Sequence, residues 1–181
     1  MSTLASLADA NSNNALTVTV TDTSVAAAAL NTLDGKTSVA VTATAATAIT
    51  GTAAAIATTL GAAGINHSQA NIVATVDSGS VAAADLNTIN SNSDNAVVAS
   101  AATTITGTAA NVITAYAANT AGTISGLANE AVTLSDTGSV TATDITTSTS
   151  TFNFQLFRSK VLPINGNLLS SLRNCLGADT A

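Results

Sequence analysis

The sequence predicts an α/β solenoid of about five stacked rungs, each a strand, a second strand and a short helix, with the strands parallel from rung to rung. Three observations carry this. Residues 24–60 align without a gap to residues 80–116, an offset of 56, and 21 of the 37 positions are identical. Self-similarity at this scale is the mark of a stacked repeat architecture. Each copy is itself double, because Leu30, Ile56, Leu86 and Val112 follow small-residue clusters at separations of 26, 30 and 26. Finally, alanine and threonine supply 39 and 32 of the 181 residues while aromatics make up 2%. At roughly 25 cal/mol per Å² each small side chain gains little by burial, so stability has to come from tight packing over many layers.

Within a rung the local signals follow a fixed order. Alternating β-formers come first, at Leu16-Thr17-Val18-Thr19-Val20, at 39–44, at 72–76 and at Val132-Thr133-Leu134; period 2 with Val and Thr reads as strand. Second extended pieces follow at 47–50 and 103–106. Ala-rich helices are then expected from Ala26 to Leu33, Ala53 to Leu60, Ala82 to Ile89 and Ala109 to Tyr116. Alanine has the best helix propensity, and a leading Ser or Thr caps the free N–H groups. Two turns are marginal alone and hold only when docked. Stops are expected at Asp34-Gly35, Gly61, Asn90 and Asn119. A fifth, weaker copy surrounds Ile145 within residues 138–147. The alternative is an all-β solenoid or β-helix whose Ala-rich segments are loops.

Three regions follow: an N-terminal extension (1–14), the repeat solenoid (15–150) and a distinct tail (151–181). Residues 1–14 lack a basic region and a continuous apolar core, so no Sec-type signal peptide is read there. The tail holds Phe152, Phe154, Phe157, Pro163, Cys175 and three of the four basic residues, Arg158, Lys160 and Arg173. It reads either as a C-terminal cap over the last rung's open edge or as a non-cognate segment. No apolar run reaches transmembrane length. With a formal charge of −6 and 8% charged residues, the chain lacks the basic footprint of a nucleic-acid binder or a polybasic membrane patch. A single cysteine excludes an intramolecular disulfide framework, and thiol poverty fits an extracellular protein.

No catalytic or cofactor-binding constellation stands out. His67 is expected as a solvent-exposed loop residue, and Cys175 as a packing residue. Asp22, Asp77 and Asp136 recur in comparable Ser/Thr/Gly settings; stacked at one corner they would offer oxygens to Ca²⁺, which takes six to eight, whereas their bland role is turn formation. Asn31 and Asn87 share one repeat position, which suits a ladder or a bond to a turn's backbone. Asp85 and Asp144 stand where the first copy has Ala29, which argues for exposure. Thr17, Thr19 and Thr21 alternate along one strand face, as do Thr42 with Thr44, and Thr104, Thr106 with Thr108. Outward threonines on a flat parallel sheet would order water as ice-binding solenoids do; otherwise Thr is simply a good strand former.

Residues 77–89, 104–112 and 120–127 carry a pattern, Asp-Ser-Gly-Ser-Val-Ala-Ala-Ala-Asp-Leu-Asn-Thr-Ile, then Thr-Ile-Thr-Gly-Thr-Ala-Ala-Asn-Val, then Thr-Ala-Gly-Thr-Ile-Ser-Gly-Leu. It resembles tandem repeats of very large cell-surface or secreted proteins of marine cyanobacteria. The resemblance covers residues 15–147 and implies an extracellular, non-enzymatic role in surface layers, adhesion or surface-associated motility. The expected function is thus a structural or adhesive repeat segment, with further repeats of the array or other surface components as partners. The alternatives are a ligand-binding face (Ca²⁺ or ice) and a β-helix carbohydrate-active enzyme. The last wants clustered Asp with basic or aromatic sugar platforms, yet between residues 15 and 150 there is one Lys, one Tyr and no Trp.

Overall fold

Short Val- and Thr-rich strands and Ala-rich helices alternate along residues 15–136, the part of the chain that the computed structural model describes. In chain order, β1 (Ser24–Ala26) runs directly into α1 (Ala27–Asp34), and β2 (Val41–Thr42) and β3 (Ala48–Gly51) lead to α2 (Ala53–Gly61). Then come β4 (Ile65–Asn66), a 3₁₀ turn (Gln69–Asn71), β5 (Val73–Val76) and β6 (Gly79–Ala82), which opens into α3 (Ala83–Ser91). β7 (Val97–Val98) and β8 (Ala102–Gly107) precede α4 (Ala109–Ala121), followed by β9 (Ile124–Ser125) and β10 (Ala131–Leu134). The Ala-rich segments are helices, so the all-β alternative is set aside. The expected regions 1–14 and 151–181, and the copy around Ile145, lie outside the described residues.

Among the described residues all strand pairs are parallel, in three sheets ordered β1-β3-β5-β7-β9, β10-β8-β6 and β2-β4. Parallel neighbours need long crossovers rather than hairpins, and the helices supply them. Ser24 lies opposite Ala48 and Ala48 opposite Val73 in one ladder; Ser80 lies opposite Thr104 and Thr104 opposite Ala131 in the other. The helices begin at Ala27, Ala53, Ala83 and Ala109 and keep the 26, 30, 26 spacing of the sequence. The longer interval has a specific cause. β5 pairs with β3 on one side and meets β7 on the other, through Thr75 opposite Val98. The chain then needs a further strand, β6, before α3 can start.

The core lies between sheets and helices and is made of small and medium side chains. Ala27, Leu30 and Leu33 of α1 and Ala83, Leu86 and Ile89 of α3 form the buried stripes, at the same three-residue spacing in both copies. Val25, Ile49, Ile72, Ile105 and Ile124 seal the strand side. Fully buried alanines (Ala27, Ala43, Ala74, Ala83, Ala99 and Ala115) let the layers approach closely.

The capping expectation holds in alternate helices. Thr52 Oγ1 accepts from Ala55 N at 3.2 Å, and Thr108 Oγ1 from Asn111 N at 3.3 Å. α1 and α3 have no side-chain cap, because an extended strand feeds straight into each through Ala26 and Ala82. Nor does α4 stop at Asn119: it continues to Ala121 and ends at Gly122, whose φ of 81° is left-handed. Asn119 instead grips the following loop, with Nδ2 donating to Leu127 O at 3.0 Å and Oδ1 accepting from Leu127 N at 3.1 Å. The strand expected over 16–20 reduces to one bridge, Thr19 with Thr42, at the edge of the described body.

Candidate functional site

The three aspartates take different places in the register. Asp77 N donates to Gly51 O at 2.8 Å, and Ser135 N makes the equivalent bond to Gly107 O at 2.9 Å. Counted from those glycines, the counterpart of Asp136 is Ser78, one residue beyond Asp77. Asp22 and Asp77 are exposed. The Asp136 carboxylate accepts from Ala109 N at 2.7 Å, at the first residue of α4. There it satisfies an orphan helix donor and meets the positive end of the helix dipole. Among the described residues no group of three or more His, Cys, Asp or Glu side chains is placed to hold a metal ion.

His67 is half-buried rather than exposed. The turn after α2 brings its Nε2 to 3.2 Å from Leu60 O, a carbonyl of that helix's last turn, while Nδ1 is sealed without a hydrogen-bond partner. Asp85 is half-buried as well, in the first turn of α3. Cys175 and Asp144 lie outside the described residues.

The shared asparagine position ties one helix to the next. Asn31 Nδ2 donates to Ala55 O in α2, and Asn87 Nδ2 to Asn111 O in α4, both at 3.0 Å. The two then diverge. The Thr59 hydroxyl, fully buried, lies 2.8 Å from Asn31 Oδ1 as its donor. The residue 56 positions on is Ala115, which has no donor, and Asn87 Oδ1 is sealed without a partner. Setting Thr59 against Ala115 in the aligned copies was the available clue.

A second polar contact appears only in the second copy. Tyr116, the single tyrosine, is buried in α4 and donates from its hydroxyl to Glu130 Oε2 at 3.0 Å. The same carboxylate accepts from Ala128 N through both oxygens, at 3.0 and 2.9 Å. Burial first, and then the negative charge and hydrogen bond of Glu130, push the phenol well above the ordinary tyrosine range. Leu60 stands at the matching position of the first copy, so the repeat gives no signal for this pair.

The threonines are distributed over several roles. The outward row across the five-stranded sheet reads Ala26, Thr50, Thr75, Val98, Ser125. Thr19 is followed by Thr42 and Asn66. Thr17, Thr21 and Thr44 are exposed; Thr104 and Thr106 are half-buried, and Thr108 is a cap. Such rows place hydroxyls beside methyl groups and amides, without one uniform threonine lattice. No helix among the described residues is long and apolar enough to cross a membrane. No protein-family model matches the chain, and neither a curated protein nor a solved structure matches it.

Proposed function

We propose that this chain is a non-enzymatic structural or adhesive segment of an extracellular or cell-surface protein. It is read as an α/β solenoid of about five strand–strand–helix rungs, akin to the tandem repeats of giant surface proteins of marine cyanobacteria. One observation carries the reading: the positions that recur at 56 residues make rung-to-rung or helix-start contacts. Asn31 and Asn87 reach the next helix at the same 3.0 Å, and Thr52 and Thr108 both cap. A chain that repeats its scaffold in this way presents a long regular surface, and that surface is the working part. Its partners are further repeats or other surface components. The test is accessibility on intact cells that make the protein. Antibody labelling and removal by added protease are expected before lysis; labelling that appears only after the cells are opened would discard a surface role.

A further inference from the structure

We draw no further inference here: the strongest candidate, the exposed Ala/Thr stripes of α1 to α4, on which Thr32, Thr58, Thr88 and Thr114 each donate a hydroxyl to the carbonyl four residues back, consists of small uncharged residues alone, and nothing in the structure shows what covers it.

Discussion

The Thr59 hydroxyl has Asn31 Oδ1 at 2.8 Å and Ala55 O at 2.9 Å as acceptors, whereas Asn87, with Ala115 at the equivalent position, keeps a sealed, unpartnered Oδ1. An unmade buried hydrogen bond costs about 1–3 kcal/mol, more than a made one contributes. Thr59→Ala should therefore destabilise by about 1–3 kcal/mol in urea unfolding. Ala115→Thr, which copies a side chain the first repeat already accommodates, should stabilise by about 1 kcal/mol. A loss of stability in Ala115→Thr would show that Asn87 is satisfied in some other way. At Tyr116 the prediction concerns pH. The folded phenol ionises above its unfolded value of about 10, so its contribution is complete below that value and fades as pH rises beyond it. Because the chain has one tyrosine, phenolate absorbance reads this group alone. Native protein should resist ionisation until it unfolds, and Tyr116→Phe should flatten the alkaline loss of stability. A reversible titration near 10 in folded protein would contradict the buried Glu130 contact.

At the scale of elements, the helices were legible, and so were about half of the described strands. Alanine runs bounded by Thr or Gly gave all four helices nearly to the residue at their starts, because propensity and the buried stripe agree there. β4, β7 and β9 are two residues each, too short to display a period of two, and β2 takes up only two residues of the strand expected over 39–44. β6 is hidden for another reason: Gly79-Ser80-Val81-Ala82 reads as the lead-in to a helix. Asn31 and Asn87 were legible as a shared scaffold position, whereas Tyr116 with Glu130 was not, since a pair present in one copy leaves no repeat signal. The junction between β8 and α4 tests why Thr-Gly-Thr recurs unchanged. Gly107 has φ of 144°, as Gly51 has 147°, and a Cβ there would meet Ala83 Cβ at 3.6 Å, an ordinary contact. Space is available; conformation is not. Gly107→Ala should cost about 1–3 kcal/mol from backbone strain, against about 1 kcal/mol for removing the cap by Thr108→Ala. Equal and negligible losses in chemical denaturation would mean that the strand end relaxes without glycine.

For the whole molecule the central question is whether stability accumulates rung by rung. Among the described residues Tyr116 is the one aromatic side chain in the core, and helices of eight or nine residues such as α1, α2 and α3 do not persist unless docked. On the proposed stacked reading each layer depends on its neighbours, and the total would behave as intrinsic rung terms, individually unfavourable, plus interface terms that outweigh them. This dependence can be manipulated without altering any existing contact type. Inserting a second copy of residues 24–79 directly after Gly79 preserves both junctions, because Ser24 and Ser80 hold the same repeat position. The added unit brings two helices, both ladders and another Asn31-type bond, and it lengthens the stack in the middle without changing either end. The melting temperature should rise, and the denaturant m-value should increase with the extra surface buried. If the inserted unit instead melted separately at a lower temperature, leaving the original transition in place, the copies would be independent bodies joined in sequence. A single, later and steeper transition is what coupled rungs require, since the parallel ladders would then run unbroken through the insert.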